Sequence, residues 1–199
     1  PVDRSLRLQD EVALLQPLIE RAGQPLALVG HSYGGAVALL AALQHRPRAL
    51  VLYEPTLFAL LDEETPSPNE ADGIRKTLAD AAAHLARGDR SAAAGRFIDF
   101  WMGDGSWART PENRRAPIED AIVNEQGWGT ALFTQPTPLS DFGALDVPVL
   151  LMVGSESPAS SRGVARLLAG VLPRRQLVQL EGLGHMGPVT HPERVNAII

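Results

Sequence analysis

The residues that could do chemistry gather in one run, Gly30-His31-Ser32-Tyr33-Gly34-Gly35. It follows the apolar stretch Leu26-Ala27-Leu28-Val29 and leads into an Ala-rich segment that starts at Ala36. A serine hydroxyl is a weak nucleophile until a base stands within hydrogen-bond reach. On a sharp strand-to-helix turn its oxygen is pushed out of the sheet. The crowded backbone there calls for glycine two residues before and two after, here Gly30 and Gly34. The helix that follows aims its free N–H groups at the same oxygen, where negative charge would develop. The backbone N–H of Tyr33 is the expected oxyanion donor. The spacing Gly30-x-x-x-Gly34-Gly35 is not that of a dinucleotide-binding turn, and no acidic residue is placed for a ribose.

The elements that must position these residues alternate between strand and helix. Leu8, Val12, Leu15 and Ile19 recur at helical spacing, so Ser5 to Ala22 reads as a helix that Pro17 kinks or interrupts and Gly23 ends. Leu26 to Gly30 is an apolar strand, Tyr33 to His45 a helix with small residues for close packing, and Ala49 to Glu54 a buried strand closed by Pro55. From Thr56 to about Ser140 the pattern turns helical and is broken by Pro and Gly. Its best helices are Ala79 to Arg87, Ala92 to Met102 and Pro117 to Gln126. A connection this long without strands inside a compact fold is usually functional. The sheet pattern resumes at Val147 to Val153, followed by a helix over Ala159 to Val171 and a strand over Gln176 to Leu180. A Gly-rich loop over Gly182 to Gly187 and a last helix from Pro192 complete the pattern. This alternation predicts an α/β, doubly wound, mostly parallel sheet. Residues 1–55 form a first core part, 56–140 a helical lid insertion, and 141–199 a second core part.

Composition narrows the partners. The chain has 199 residues, a net charge of -5 and no cysteine, which excludes disulfides and thiolate metal sites. No basic patch dominates, so nucleic acid is not an expected partner. No apolar run is long enough to span a membrane. A small-molecule substrate and a cytoplasmic location are the expectations. Of 18 basic residues only Lys76 is lysine, a codon-composition bias with no functional content. The histidines lack partners at metal-ligand spacing, so neither metal nor cofactor is implied. His191 precedes Pro192 at a helix start and reads as a cap, and His31 reads as a packing residue.

The run Gly30-His31-Ser32-Tyr33-Gly34-Gly35, the strand ending Tyr53-Glu54-Pro55, the Val147 to Gly154 strand and Gly184-His185-Met186-Gly187-Pro188 together resemble the α/β-hydrolase fold superfamily. The resemblance covers nearly the whole chain. It implies Ser32 as nucleophile and His185, in the Gly-rich loop after the last strand, as base, in the matching chain order. Members often carry the acid in a G-x-x-D pattern after the strand before the last. Here that stretch reads Gly154-Ser155-Glu156-Ser157, with Ser157 at the aspartate's position and Glu156 one residue early. The superfamily's second place for the acid, at the end of the strand after the nucleophile, holds Glu54. Glu54 is favoured, Glu156 is the alternative, and an arrangement of serine and histidine alone stays open. The resemblance also puts a second oxyanion donor on an early loop that the 31 residues before Ser32 do not contain, so the early strands are expected to be missing and the sequence to be partial. If so, Leu26 to Gly30 presents an unpaired edge.

In the inserted segment Phe97, Phe100, Trp101, Trp107, Trp128, Leu132 and Phe133 are candidates for an apolar acyl pocket, with Phe97, Trp101 and Trp128 taken as substrate-binding; most also read as ordinary packing. The resemblance then implies hydrolysis of an ester, thioester or similar small apolar acyl compound through an acyl-enzyme. C–C bond hydrolysis, cofactor-free perhydrolysis and a non-catalytic ligand-binding or inactive member remain as alternatives. Haloalkane dehalogenase and epoxide hydrolase chemistry is disfavoured, because those relatives carry aspartate where this chain has Ser32.

Overall fold

The structure is a computed structural model and describes residues 7–199. Four strands form one parallel sheet in the order of the chain: β1 (Ala27–His31), β2 (Ala49–Tyr53), β3 (Val149–Gly154) and β4 (Arg175–Leu180). In register, Val29 stands opposite Val51, Val51 opposite Leu150 and Leu150 opposite Gln176. Each strand lies within one or two residues of the expected span, and the sheet is parallel as expected.

Three crossovers that step the same way across the sheet place their helices on one face, because parallel crossovers are right-handed. That face carries Leu50, Leu52, Val149, Leu151 and Val153, which pack with α2 (Ser32–His45) and α9 (Ala159–Val171) in the main core. α1 (Leu8–Ala22) adds Leu8 and Val12 to it. The alternate residues of the strands, among them Tyr53 and Met152, point the other way. They meet Leu183 and, from the last helix α11 (Pro192–Asn196), Val195. Period-two alternation thus feeds two cores, one on each face of the sheet.

The expected helix over Ser5 to Ala22 is described from Leu8, and Ser5 lies outside the described residues. α1 runs through Pro17 without interruption, so of the expected kink or interruption the second does not occur. The proline removes a bond to the carbonyl of Ala13, which is exposed, so water can take that carbonyl.

Between β2 and β3 the chain is helical, as expected, but cut differently. α3 (Ala59–Glu64) is a short helix that the pattern did not reveal. α4 (Asp72–Ala86) starts seven residues before the expected Ala79. α5 (Arg90–Met102) matches the expectation closely. After the four-residue α6 (Ser106–Arg109), the expected helix Pro117 to Gln126 divides. α7 (Glu112–Ala121) holds Pro117 in its interior, a 3-10 turn spans Ile122–Asn124, and α8 (Glu125–Phe133) begins a new helix. Pro117 is tolerated as Pro17 is, since the carbonyl four residues back, on Asn113, belongs to an exposed residue. A second 3-10 stretch, Leu139–Ala144, leads to β3, and a four-residue α10 (Gly187–Thr190) precedes α11. No helix of the described residues is long and apolar enough to cross a membrane.

Candidate active site

Ser32 stands where β1 becomes α2, with φ of 55°, a left-handed conformation that non-glycine residues seldom adopt. The glycines that permit this turn are not quite the two that the motif names. A Cβ on Gly30 would lie 2.5 Å from the Gly34 carbonyl oxygen and 2.7 Å from Gly35 Cα, so Gly30 is required. A Cβ on Gly34 would meet nothing within 4 Å, whereas one on Gly35 would sit 3.1 Å from Pro55 Cα. The close approach therefore falls at Gly35, where the start of α2 passes the end of β2. Tyr33 is the second residue of α2, so its N–H has no acceptor within the helix and is free beside Ser32.

Ser32 Oγ lies 2.8 Å from His185 Nε2, and His185 Nδ1 lies 2.7 Å from Glu54 Oε2. Glu54 accepts only if ionised, so Nδ1–H donates to it, and the neutral ring then offers Nε2 as acceptor to the serine hydroxyl. Glu54 is fully buried at the end of β2, with φ of 47°. Its Oε1 accepts from the Gly154 N–H at 2.7 Å and from the Ser157 hydroxyl at 2.5 Å. Burial raises its pKa. The hydrogen bond from His185 and the electrostatic pull of its ring, with the bonds from Ser157 and Gly154, outweigh burial and hold it below the ordinary carboxylate range. Glu156, the alternative carboxylate, is exposed and lines a cavity of about 580 Å³ with Gly182, Gly184 and Met186 of the histidine loop.

The histidine loop is locked from beneath. His31 Nε2 donates to the His185 carbonyl at 2.8 Å, and the Tyr53 hydroxyl donates to the Gly184 carbonyl at 2.8 Å. Burial and the neighbouring His185 hold the His31 pKa down, which keeps that ring neutral with its proton on Nε2. His31 was expected only to pack. It does pack, with ring centroids 5.6 Å from Tyr53 and 4.9 Å from His185, but it also anchors the loop. A Cβ on Gly187 would collide with the Tyr53 hydroxyl, and one on Gly154 with the Leu183 carbonyl. His191 occupies the N-cap position of α11 but makes no side-chain cap bond; its Nδ1 pairs with Thr190 Oγ1 at 2.9 Å.

A model of the alpha/beta hydrolase family matches residues 1–198. The chain belongs to the alpha/beta hydrolase family. Solved structures of similar fold include an alpha/beta hydrolase from Sphaerobacter thermophilus, 25% identical, with a TM-score of 0.67 over 98% of this chain and 74% of that one. An esterase from Exiguobacterium antarcticum is 17% identical, with a TM-score of 0.74 over 98% of this chain and 73% of that one. A putative non-heme bromoperoxidase from Mycobacterium tuberculosis is 21% identical, with a TM-score of 0.66 over 98% and 73%. No curated protein is significantly similar in sequence.

In this alpha/beta hydrolase a cavity of about 130 Å³ opens beside Ser32 and His185. Phe97, Trp101 and Trp128, the three expected substrate-binding residues, all line it, as does Leu132. Trp101 lies against His185, with ring centroids 4.0 Å apart. The remaining aromatic candidates are elsewhere. Phe100 faces the cavity that Glu156 lines, Phe133 stacks on Phe58 under Arg75, and Trp107 packs on Gly95. Two polar lining residues escaped the sequence reading, Thr56 and Glu125. Nothing in the polar run before Trp128 marks Glu125 as buried. The second oxyanion donor was expected on an early loop; between residue 7 and Ser32 the described chain supplies only α1, a turn and β1. Among the described residues, no group of three or more His, Asp or Glu side chains is placed to hold a metal ion.

Proposed function

We propose that this chain is a serine hydrolase that cleaves a small apolar acyl compound, an ester or thioester, through an acyl-enzyme. The observation that carries the reading is the continuous hydrogen-bonded chain from Ser32 through His185 to Glu54. In this reading Ser32 Oγ attacks the acyl carbonyl while His185 Nε2 takes its proton. Buried Glu54 holds the ring in the required tautomer and stabilises the imidazolium. The Tyr33 N–H and the α2 terminus stabilise the oxyanion. The C–O or C–S bond breaks, His185 returns the proton to the leaving group, and water, deprotonated by His185, frees the acid and regenerates Ser32. The modest apolar cavity lined by Phe97, Trp101 and Trp128 favours short acyl chains.

Incubation of the 199-residue chain with a fluorophosphonate is the direct test. The expected result is one adduct, located on Ser32 by peptide mass analysis and absent in Ser32→Ala, with hydrolysis of short p-nitrophenyl esters lost in parallel. A folded chain that takes up no label and turns over no ester would overturn the reading and leave a ligand-binding role.

A further inference from the structure

The cavity beside Ser32 contains two polar side chains that the hydrolytic steps do not use. Glu125, the first residue of α8, is 1% exposed, and both of its carboxyl oxygens lack a hydrogen-bond partner. Thr56, 2% exposed just beyond β2, has its Oγ1 in the same condition. Both line the cavity with Ser32, Phe97, Trp101 and Trp128. Among the described residues, none of the other buried polar side-chain atoms left without a partner belongs to a residue lining this cavity. Buried polar groups are normally paired, and leaving one unmade costs free energy. Three such atoms on one small, otherwise apolar chamber therefore mark a place where something else completes the pairing.

The chemistry of the atoms says what that is. An ionised carboxylate only accepts, while a threonine hydroxyl both accepts and donates. No lysine or arginine lines the cavity. Burial alone pushes the Glu125 carboxyl up to about 7, so a donor arriving from outside would draw it into the ionised form. We propose that Glu125 and Thr56 form a polar subsite that receives a hydrogen-bond-donating group, a hydroxyl or a protonated amine, carried on the substrate a few carbons from its reacting carbonyl. The subsite rests on the reading of Ser32 as the reacting centre only for its place along the substrate. A site built to hydrogen-bond a substrate group discriminates strongly against the analogue without it, because its own polar atoms are then left unpaired.

The first measurement needs no turnover. Butyramide, 3-hydroxybutyramide and 3-aminobutyramide are titrated against the intact chain, with binding read from tryptophan fluorescence. At least one substituted amide is expected to bind at least about tenfold tighter than butyramide. Glu125→Leu removes an unpartnered buried carboxyl, so it is expected to fold, and it should abolish that preference. Glu125→Gln should keep a preference for the hydroxyl and lose one for the amine, which separates the two donors. Equal affinity for the three amides, no binding of either substituted amide, or an unchanged ratio in Glu125→Leu would overturn the subsite. The p-nitrophenyl esters of the same acids provide the second measurement, as ratios of kcat/KM. If no ester is turned over while the amides are still discriminated, the hydrolytic reading fails and the subsite stands.

Discussion

Ser157, which the resemblance sets at an acid's position, hydrogen-bonds a carboxylate on the neighbouring strand end instead. Its hydroxyl donates to Glu54 Oε1, while Oε2 holds His185. The Ser157 hydroxyl is thus one of the donors that keep the Glu54 carboxylate ionised. The sign of the pH effect follows. A carboxyl held below its unfolded value of about 4.5 contributes stability that is fully present above that value and is lost as pH falls through the folded pKa. Ser157→Ala removes one lowering bond and moves the folded pKa upward. Acid unfolding should then begin at higher pH than in the wild type, followed by circular dichroism. With Ser32, His185 and Glu54 acting as proposed, ester turnover at neutral pH should fall by about tenfold or less, against about four orders of magnitude for Glu54→Gln, where the tautomer itself is lost.

At the scale of elements, the turn from β1 to α2 is defined by where backbones nearly touch. Gly30 and Gly35 carry the close approaches, and Gly34 does not, although the motif names Gly34. Gly34 lies inside α2 with open space where a Cβ would be, so Gly34→Ala should be neutral or should stabilise by about 0.5–1 kcal/mol through helix propensity. Gly30→Ala forces its Cβ onto the Gly34 carbonyl and should cost upwards of about 3 kcal/mol or prevent folding. Urea unfolding midpoints of the two variants make the comparison. Similar losses from both would mean that the crowding at this turn is not where the structure puts it.

For the whole molecule, the sheet of the described residues has two edge strands, and both carry exposed apolar side chains, Leu177 on β4 among them. β4 is one edge and β1 the other, and Val29 on β1 is 64% exposed on the face that Val195 covers farther along. Leu14 and Leu18 of α1 are exposed as well. An edge strand with bare apolar side chains is a template for pairing with another copy. The 199-residue chain should self-associate with rising concentration, and Val29→Lys should shift it toward monomer in light scattering coupled to gel filtration. A chain that stays monomeric at high concentration would show that this edge is protected.

Some of this was legible in the residues alone. The order of strands and helices, the parallel sheet, and the placement of Ser32 at a strand-to-helix turn follow from period and glycine spacing, which are local properties of a chain. So does the helical character of the segment between β2 and β3, although Pro17 and Pro117 lie inside helices where the carbonyl four residues back belongs to an exposed residue. The partner of His185 was a choice between two carboxylates and none. Only the fold decides that Glu54 is buried against Nδ1 while Glu156 stays in solvent, because 131 residues separate the histidine from Glu54 and nothing local encodes their distance. The burial of Glu125 beside Ser32 belongs to the same class. A charged residue in a polar run looks solvated until packing encloses it, and burial depends on the whole chain at once.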